Sequence, residues 1–151
     1  MTTPSIATGV LGLTATALIS AIAPAYAQVC EPLEVVGGEG TEVTKTVSPP
    51  GALFIDDNWN TDFAVTTSYA YFLVNFLPES GESYDIDVHL KYPDDSIDSA
   101  YSVSNGIFPE GDSETIRVES RRNSNPYQVN LRVGGLNAEG NTYTASINGC
   151  R

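Results

Sequence analysis

Residues 84–91 read Tyr-Asp-Ile-Asp-Val-His-Leu-Lys, and apolar side chains alternate strictly with polar ones along the segment. Successive side chains of a β-strand point to opposite faces, so this period of two predicts a strand with one buried and one solvated face. The expected buried face comprises Tyr84, Ile86, Val88 and Leu90. Asp85, Asp87 and His89 then face water.

The same alternation recurs along the chain, and no long segment after Ala27 has a helical period. Residues 69–77 are apolar on both faces, as expected of a central strand covered from both sides. Turn signals rich in Gly, Pro and Asp separate these segments. Many short strands with regular turns predict an all-β fold, and we expect a jelly-roll-like antiparallel sandwich of two sheets with about eight to ten strands rather than a barrel. Further strands are predicted at 33–36, 41–47, 52–55, 61–66, 99–104, 115–119, 127–133 (with Tyr127 facing the core) and 143–147.

The first 27 residues have the features of an export signal. Residues 6–23 are uncharged and apolar, and Ala25-Tyr26-Ala27 is a small-x-small cleavage site. A membrane anchor is the alternative, because the stretch is about as long as a minimal spanning helix of roughly 17 residues. We expect cleavage after Ala27, which leaves a single domain, residues 28–151, that is secreted, periplasmic or at the cell surface and not embedded in a membrane.

Cys30 and Cys150 are the only cysteines and flank the predicted domain. In an oxidising compartment such a pair predicts a disulfide. Free thiols or an intermolecular bridge are the alternative.

The chain is acidic, with 19 acidic and 7 basic residues and a net charge of −12. Such a surface repels nucleic acid and anionic membranes and attracts divalent cations, so no nucleic-acid partner is expected. Adaptation to salt water explains the same acidity equally well.

Three segments together resemble bacterial pre-peptidase C-terminal (PPC) domains. They are the alternating strand 84–90, the segment 126–133 with an aromatic residue before alternating apolar positions, and the segment 141–147 near the end. The resemblance covers about residues 61–148 and leaves the segment between Cys30 and Asn60 unexplained. It implies a non-catalytic, jelly-roll-like sandwich of secreted proteins, some relatives of which bind matrix polymers or calcium.

The segment 56–62 carries oxygen-bearing side chains at every second position, the spacing of a calcium-binding loop. We therefore expect calcium as the one candidate cofactor. Thr61 stands where such a loop has glycine, and Thr67 where it has a closing glutamate. A polar turn whose side chains cap their own backbone is the alternative. The candidate metal ligands are Asp56, Asn58, Asn60 and Asp62.

Trp59 is the only tryptophan and lies inside this segment. An indole ring beside carboxamides can stack on a sugar ring while the amides bond its hydroxyls, which makes Trp59, Asn58 and Asn60 candidate ligand-binding residues. A core residue that anchors the loop is the alternative.

No catalytic residues can be named. His89 is the sole histidine, no Gly-x-Ser-x-Gly motif occurs, and nothing distinguishes one carboxylate pair from another. The sequence therefore favours a non-catalytic module that binds extracellular polysaccharide or a surface protein, with calcium stabilising a loop. A structural subunit of a cell-surface layer or filament is the alternative, and the oligomeric state stays open.

Overall fold

A computed structural model describes residues 28–51 and 58–151. Nine strands form two antiparallel sheets within these ranges, which confirms the predicted sandwich class. The strands are β1 Cys30–Pro32, β2 Glu42–Thr46, β3 Asn60–Ala64, β4 Tyr71–Pro78, β5 Ser83–Lys91, β6 Ile97–Ile107, β7 Glu114–Glu119, β8 Gln128–Gly134 and β9 Thr142–Cys150. One turn of 3-10 helix, Leu136–Ala138, is the only helical element in the described ranges.

One sheet has five strands. β9 pairs with β4, and β4 pairs with the edge strand β7. On its other side β9 pairs with β1 near its end and with β2 nearer its start. The second sheet has four strands in the order β3-β8-β5-β6. Strands distant in sequence therefore lie side by side, and each sheet has one polar outer face.

The core lies between the inner faces of the two sheets. Phe76 and Tyr143 come from the five-stranded sheet and Tyr84 from the four-stranded sheet, and the Phe76 ring centroid lies 5.1 Å from that of Tyr84 and 5.4 Å from that of Tyr143. All three side chains are almost completely buried. Burial of each such side chain contributes about 1.5–3 kcal/mol, so the alternation in β4, β5 and β9 accounts for much of the stability.

Several expectations from the sequence need correction. β4 lies inside its sheet as predicted, but its outward-facing Leu73 and Leu77 are only half-buried, so the strand is not covered on both faces. Residues 33–36 form no strand and contribute a single bridge, Val35 to Phe63. Tyr127 is 49% exposed, because β8 begins only at the next residue. The predicted signal peptide, residues 1–27, and the predicted strand 52–55 lie outside the described residues.

The predicted disulfide is present. Cys30 and Cys150 are bonded, with their Cα atoms 4.1 Å apart, and they are register partners in the β1–β9 pair. A disulfide fits a location outside the reducing cytosol. In the ranges that the structure describes, no helix is long and apolar enough to cross a membrane.

Candidate functional site

Polar residues form rows across the outer face of the four-stranded sheet. Asp62 of β3 is the register partner of Asn130 of β8, Asn130 is the partner of His89 of β5, and His89 is the partner of Ser99 of β6. Register partners in an antiparallel sheet point to the same face. Four strands therefore present one continuous polar row.

A second row runs beside the first. It contains Asn60, Arg132, Asp87 and Ser102, again one residue from each strand. Arg132 Nη1 donates to Asp87 Oδ2 at 2.9 Å, and Ser102 Oγ donates to Asp87 Oδ1 at 2.6 Å. Both oxygens of the Asp87 carboxylate are thus engaged, and the Arg132 guanidinium is held in place.

Asp62 is the centre of a hydrogen-bond network on this face. Its Oδ1 accepts from Lys91 Nζ at 3.0 Å and from Asn130 Nδ2 at 2.8 Å. The Asp62 and Lys91 side chains are about one-third and one-quarter exposed, while Asn130 is buried. The Asp62–Lys91 ion pair is therefore accessible to a ligand, and the buried Asn130 amide fixes the orientation of the Asp62 carboxylate.

A shallow hollow of about 450 Å³ opens at the first row. It is lined by Asn60, Asp62, His89, Lys91, Ile97 and Asn130. Within the described ranges the His89 side chain makes no hydrogen bond, so both ring nitrogens are available to a ligand. Ile97 is 58% exposed and adds an apolar wall. The hollow thus combines donors, acceptors and one apolar contact on a rigid sheet.

Lys45 of β2 joins the two sheets beside this face. Its Nζ donates to the carbonyl oxygens of Asn60 at 2.9 Å and Asn58 at 3.3 Å. Partial burial lowers the pKa of Lys45, and the nearby negative charge of Asp62 opposes this effect. Lys45 therefore caps the free edge of β3 and fixes the backbone that carries Asn60 and Asp62.

The candidate residues predicted from the sequence fall into separate places. Asn60 and Asp62 lie on β3 and reach the hollow. Asn58 is used structurally: its Oδ1 accepts from Ser48 N at 3.0 Å and its Nδ2 donates to the Thr46 carbonyl at 2.7 Å. Asp56 lies outside the described residues.

Trp59 faces inward. It is 7% exposed, and its Nε1 donates to the Ser48 carbonyl at 2.8 Å. Its ring packs on Gly134, where an added Cβ would lie 2.2 Å from Trp59 Cδ2, and the Arg132 guanidinium lies 4.7 Å from the ring centroid. These contacts match the loop-anchoring alternative weighed from the sequence, and a stacking role for the ring stays an untested prediction.

Three polar residues of the hollow were not among the candidate site residues selected from the sequence. Asn130, His89 and Lys91 each stand in the polar half of a clear alternation, which was the signal available. Their convergence with Asp62 depends on strand register, which a single sequence does not reveal.

Comparison with known proteins leaves the family open. No family model matches the chain, so its resemblance to PPC domains stays a prediction. No curated protein matches it either. The chain is similar to a solved structure of a mutant family 29 carbohydrate-binding module, which was studied for its ligand recognition. The two share 6% sequence identity and superpose with a TM-score of 0.47, over 82% of this chain and 91% of that chain. At that TM-score and identity the likeness carries no argument about ligand.

Proposed function

We propose that this chain is a secreted, non-catalytic module that binds extracellular polysaccharide on the outer face of its four-stranded sheet. The observation that carries the proposal is the hollow at Asn60, Asp62, His89, Lys91 and Asn130, with Ile97 at its side. Its volume of about 450 Å³ lies within the range typical of small-ligand sites, roughly 300–1,000 Å³.

The chemistry of the lining suits sugar hydroxyls. Each hydroxyl both donates and accepts, and the face offers carboxylate and carboxamide acceptors together with amide, ammonium and imidazole donors. Neighbouring hydroxyls of one sugar ring can therefore bond to Asp62 and Lys91 at the same time. Ile97 supplies a surface for the apolar C–H groups of the ring.

The position of these groups on paired strands supports binding rather than turnover. Asp62 and Asp87 are each engaged by a cation, Lys91 at 3.0 Å and Arg132 at 2.9 Å. Both carboxylates are therefore already engaged by protein cations, and each is held in one orientation on the sheet. In the described ranges His89 bonds no serine and no carboxylate, so no activated nucleophile accompanies it.

The test compares two asparagines on opposite outer faces. Asn60→Ala removes a residue of the hollow, and Asn148→Ala is the matched control on the five-stranded sheet. Binding to a panel of neutral polysaccharides is measured by affinity electrophoresis and pull-down. Loss of an amide contact is expected to weaken binding by about tenfold in Asn60→Ala, which corresponds to roughly 1.4 kcal/mol. Equal binding by both variants, or no binding by the parent, contradicts the proposal.

Calcium at residues 56–62 remains a separate proposal. Among the described residues no group of three His, Cys, Asp or Glu side chains could hold a metal ion. Asp62 and Asn58 already have other partners in the structure.

One observation favours an assembly role as the second candidate. β6 is an edge strand of 11 residues, and its terminal residues Ile97 and Ile107 are 58% and 69% exposed. A long edge strand with exposed apolar side chains can pair with another chain. Size-exclusion chromatography with light scattering tests this role: concentration-dependent oligomers that dissociate in Ile107→Lys support it, and a monomer at all concentrations opposes it.

A further inference from the structure

A cavity of about 780 Å³ lies where the chain enters β4 and leaves β7 and β9. Its lining includes Tyr69, Arg121, Arg122, Asn125 and Arg151. Three of the seven basic residues of a chain with net charge −12 thus line one cavity. Such clustering concentrates the few guanidinium groups of this molecule at one place.

Arg121 is held on one side of the cavity. Its Nε donates to Asp98 Oδ2 at 2.9 Å and its Nη1 to Ser96 Oγ at 2.8 Å, while the guanidinium lies 3.9 Å from the ring centroid of Tyr92. The Arg121 Nη2 atom also donates to Asp98 Oδ1. A guanidinium has five N–H donors, so Nη1 and Nη2 each keep one N–H group that is not used in these bonds. Arg121 is therefore pre-oriented and still able to donate.

Arg151 is also held in place at the cavity. Its Nη2 donates to Glu31 Oε2 at 3.1 Å, and its guanidinium lies 5.5 Å from the ring centroid of Tyr69. The Tyr69 hydroxyl donates to the same Glu31 oxygen at 2.9 Å. The Arg151 side chain is 51% exposed, so its remaining N–H groups are accessible.

Arg122 is the cation without a partner. It is exposed and makes no hydrogen bond or ion pair with any residue of the described ranges. The neighbouring acids face other cations. Asp98 and, at 3.8 Å, Asp94 face Arg121, and Glu31 faces Arg151. Glu119 also lines the cavity and lies 2.7 Å from Arg117. Arg122 is thus a cation without a carboxylate partner, in the same cavity as two guanidinium groups that are already paired.

We infer that this cavity binds carboxylate groups of an acidic polysaccharide, with Arg122 as the principal contact and Arg121 and Arg151 as secondary donors. The planar guanidinium matches a carboxylate with two parallel N–H···O bonds, which gives geometric selectivity as well as attraction. The overall negative charge does not prevent this, because at physiological ionic strength charges beyond about 8 Å are largely screened. The inference rests on the proposed polysaccharide ligand but uses residues outside the hollow on the four-stranded sheet.

The test titrates trigalacturonate into the ¹⁵N-labelled protein and follows backbone amide and arginine Nε resonances. The uncharged methyl ester of the same trisaccharide is the ligand control. Shifts of residues 68–70 and 119–125 with the acid but not with the ester support the inference. The absence of these shifts, or equal shifts with the ester, overturns it.

Two variants with the same net charge separate local contact from general electrostatics. Arg122→Gln and Ser104→Asp each make the chain one unit more negative, and Ser104 is exposed on β6 and makes no side-chain bond in the described ranges. Arg122→Gln is expected to weaken trigalacturonate binding at least about fivefold and Ser104→Asp less than about twofold. Equal weakening by both variants overturns the inference.

The same experiment distinguishes failure of this site from failure of the proposed function. If trigalacturonate causes no shifts at the cavity while neutral chains bind the parent and Asn60→Ala weakens them, only the arginine site is wrong. If neutral and acidic chains both fail to bind, both proposals fail.

Discussion

Lys91 Nζ lies 3.0 Å from Asp62 Oδ1, and this ion pair joins two strands that do not pair with each other. β8 lies between them, and its Asn130 donates to the same Asp62 oxygen at 2.8 Å. The carboxylate considered as a calcium ligand from the sequence is therefore part of a three-strand network in the structure.

Removal of Asp62 is expected to destabilise the fold more than removal of Lys91. Asp62→Ala leaves the buried Asn130 amide without its acceptor, which costs about 1–3 kcal/mol. Lys91→Ala removes one half of a partly exposed ion pair, which is expected to cost less than about 1 kcal/mol. Urea unfolding of both single variants and the double variant measures these values. A larger loss in Lys91→Ala than in Asp62→Ala would contradict the network as described.

The disulfide is expected to contribute strongly to stability. It joins residues 120 positions apart, and the chain-entropy model assigns about 5 kcal/mol to a loop of this length. The double variant Cys30→Ala/Cys150→Ala should therefore unfold at clearly lower urea concentration than the oxidised parent, with a similar midpoint to the reduced parent. Equal midpoints of oxidised parent and double variant would show that the bond constrains the unfolded chain very little.

Strand alternation made much of the fold predictable. The segments around Tyr84, Val129 and Ile147 were predicted because apolar residues alternate with polar ones along each of them. The Cys30–Cys150 bond was predicted because the two cysteines flank the domain. β1 was missed because three residues, Cys30–Pro32, are too few to show a period.

The candidate site was harder to predict because it depends on long-range register. Asp62 and Lys91 are 29 positions apart, and Asp62 and Asn130 are 68 apart, so nothing local in the sequence relates them. The segment 59–63 nevertheless contained a usable signal. Its period of two puts Trp59 on the same side as the buried Phe63, and Asn60 with Asp62 on the other. The sugar-binding hypothesis grouped Trp59 with the adjacent Asn58 and Asn60 and did not use this alternation.

Alkaline pH is expected to destabilise the protein through Tyr84. Burial, assisted by the charges of Glu110 and Glu79, raises the pKa of Tyr84 to about 12 from an unfolded value of 10.0. Because the folded pKa is the higher one, the stability from the neutral phenol is fully present below pH 10 and is lost as the pH rises through about 12.

Tyr84→Phe should flatten this alkaline loss. The variant also lacks the hydroxyl that donates to the Thr142 carbonyl at 3.2 Å and to the Ser80 carbonyl, so its stability at neutral pH should fall by about 1 kcal/mol. Thermal midpoints between pH 7 and pH 12 measure both effects, and Tyr127→Phe, which lies outside the core, is the matched control. An unchanged slope in Tyr84→Phe would assign the alkaline loss to other groups.

Calcium binding at residues 56–62, if the ion uses Asp62, must compete with Lys91 for the same carboxylate oxygen. Lys91→Met removes the competing ammonium and keeps the length of the side chain, so we expect a larger calcium-induced rise in Tm in this variant than in the parent. A ligand that binds only the native state adds about 2.7 kcal/mol at one hundred times its Kd, which makes the shift measurable. The thermal midpoint and Trp59 fluorescence are followed with and without a chelator. No calcium response in either protein would contradict calcium binding at residues 56–62. An equal response in both would locate the ion away from Asp62.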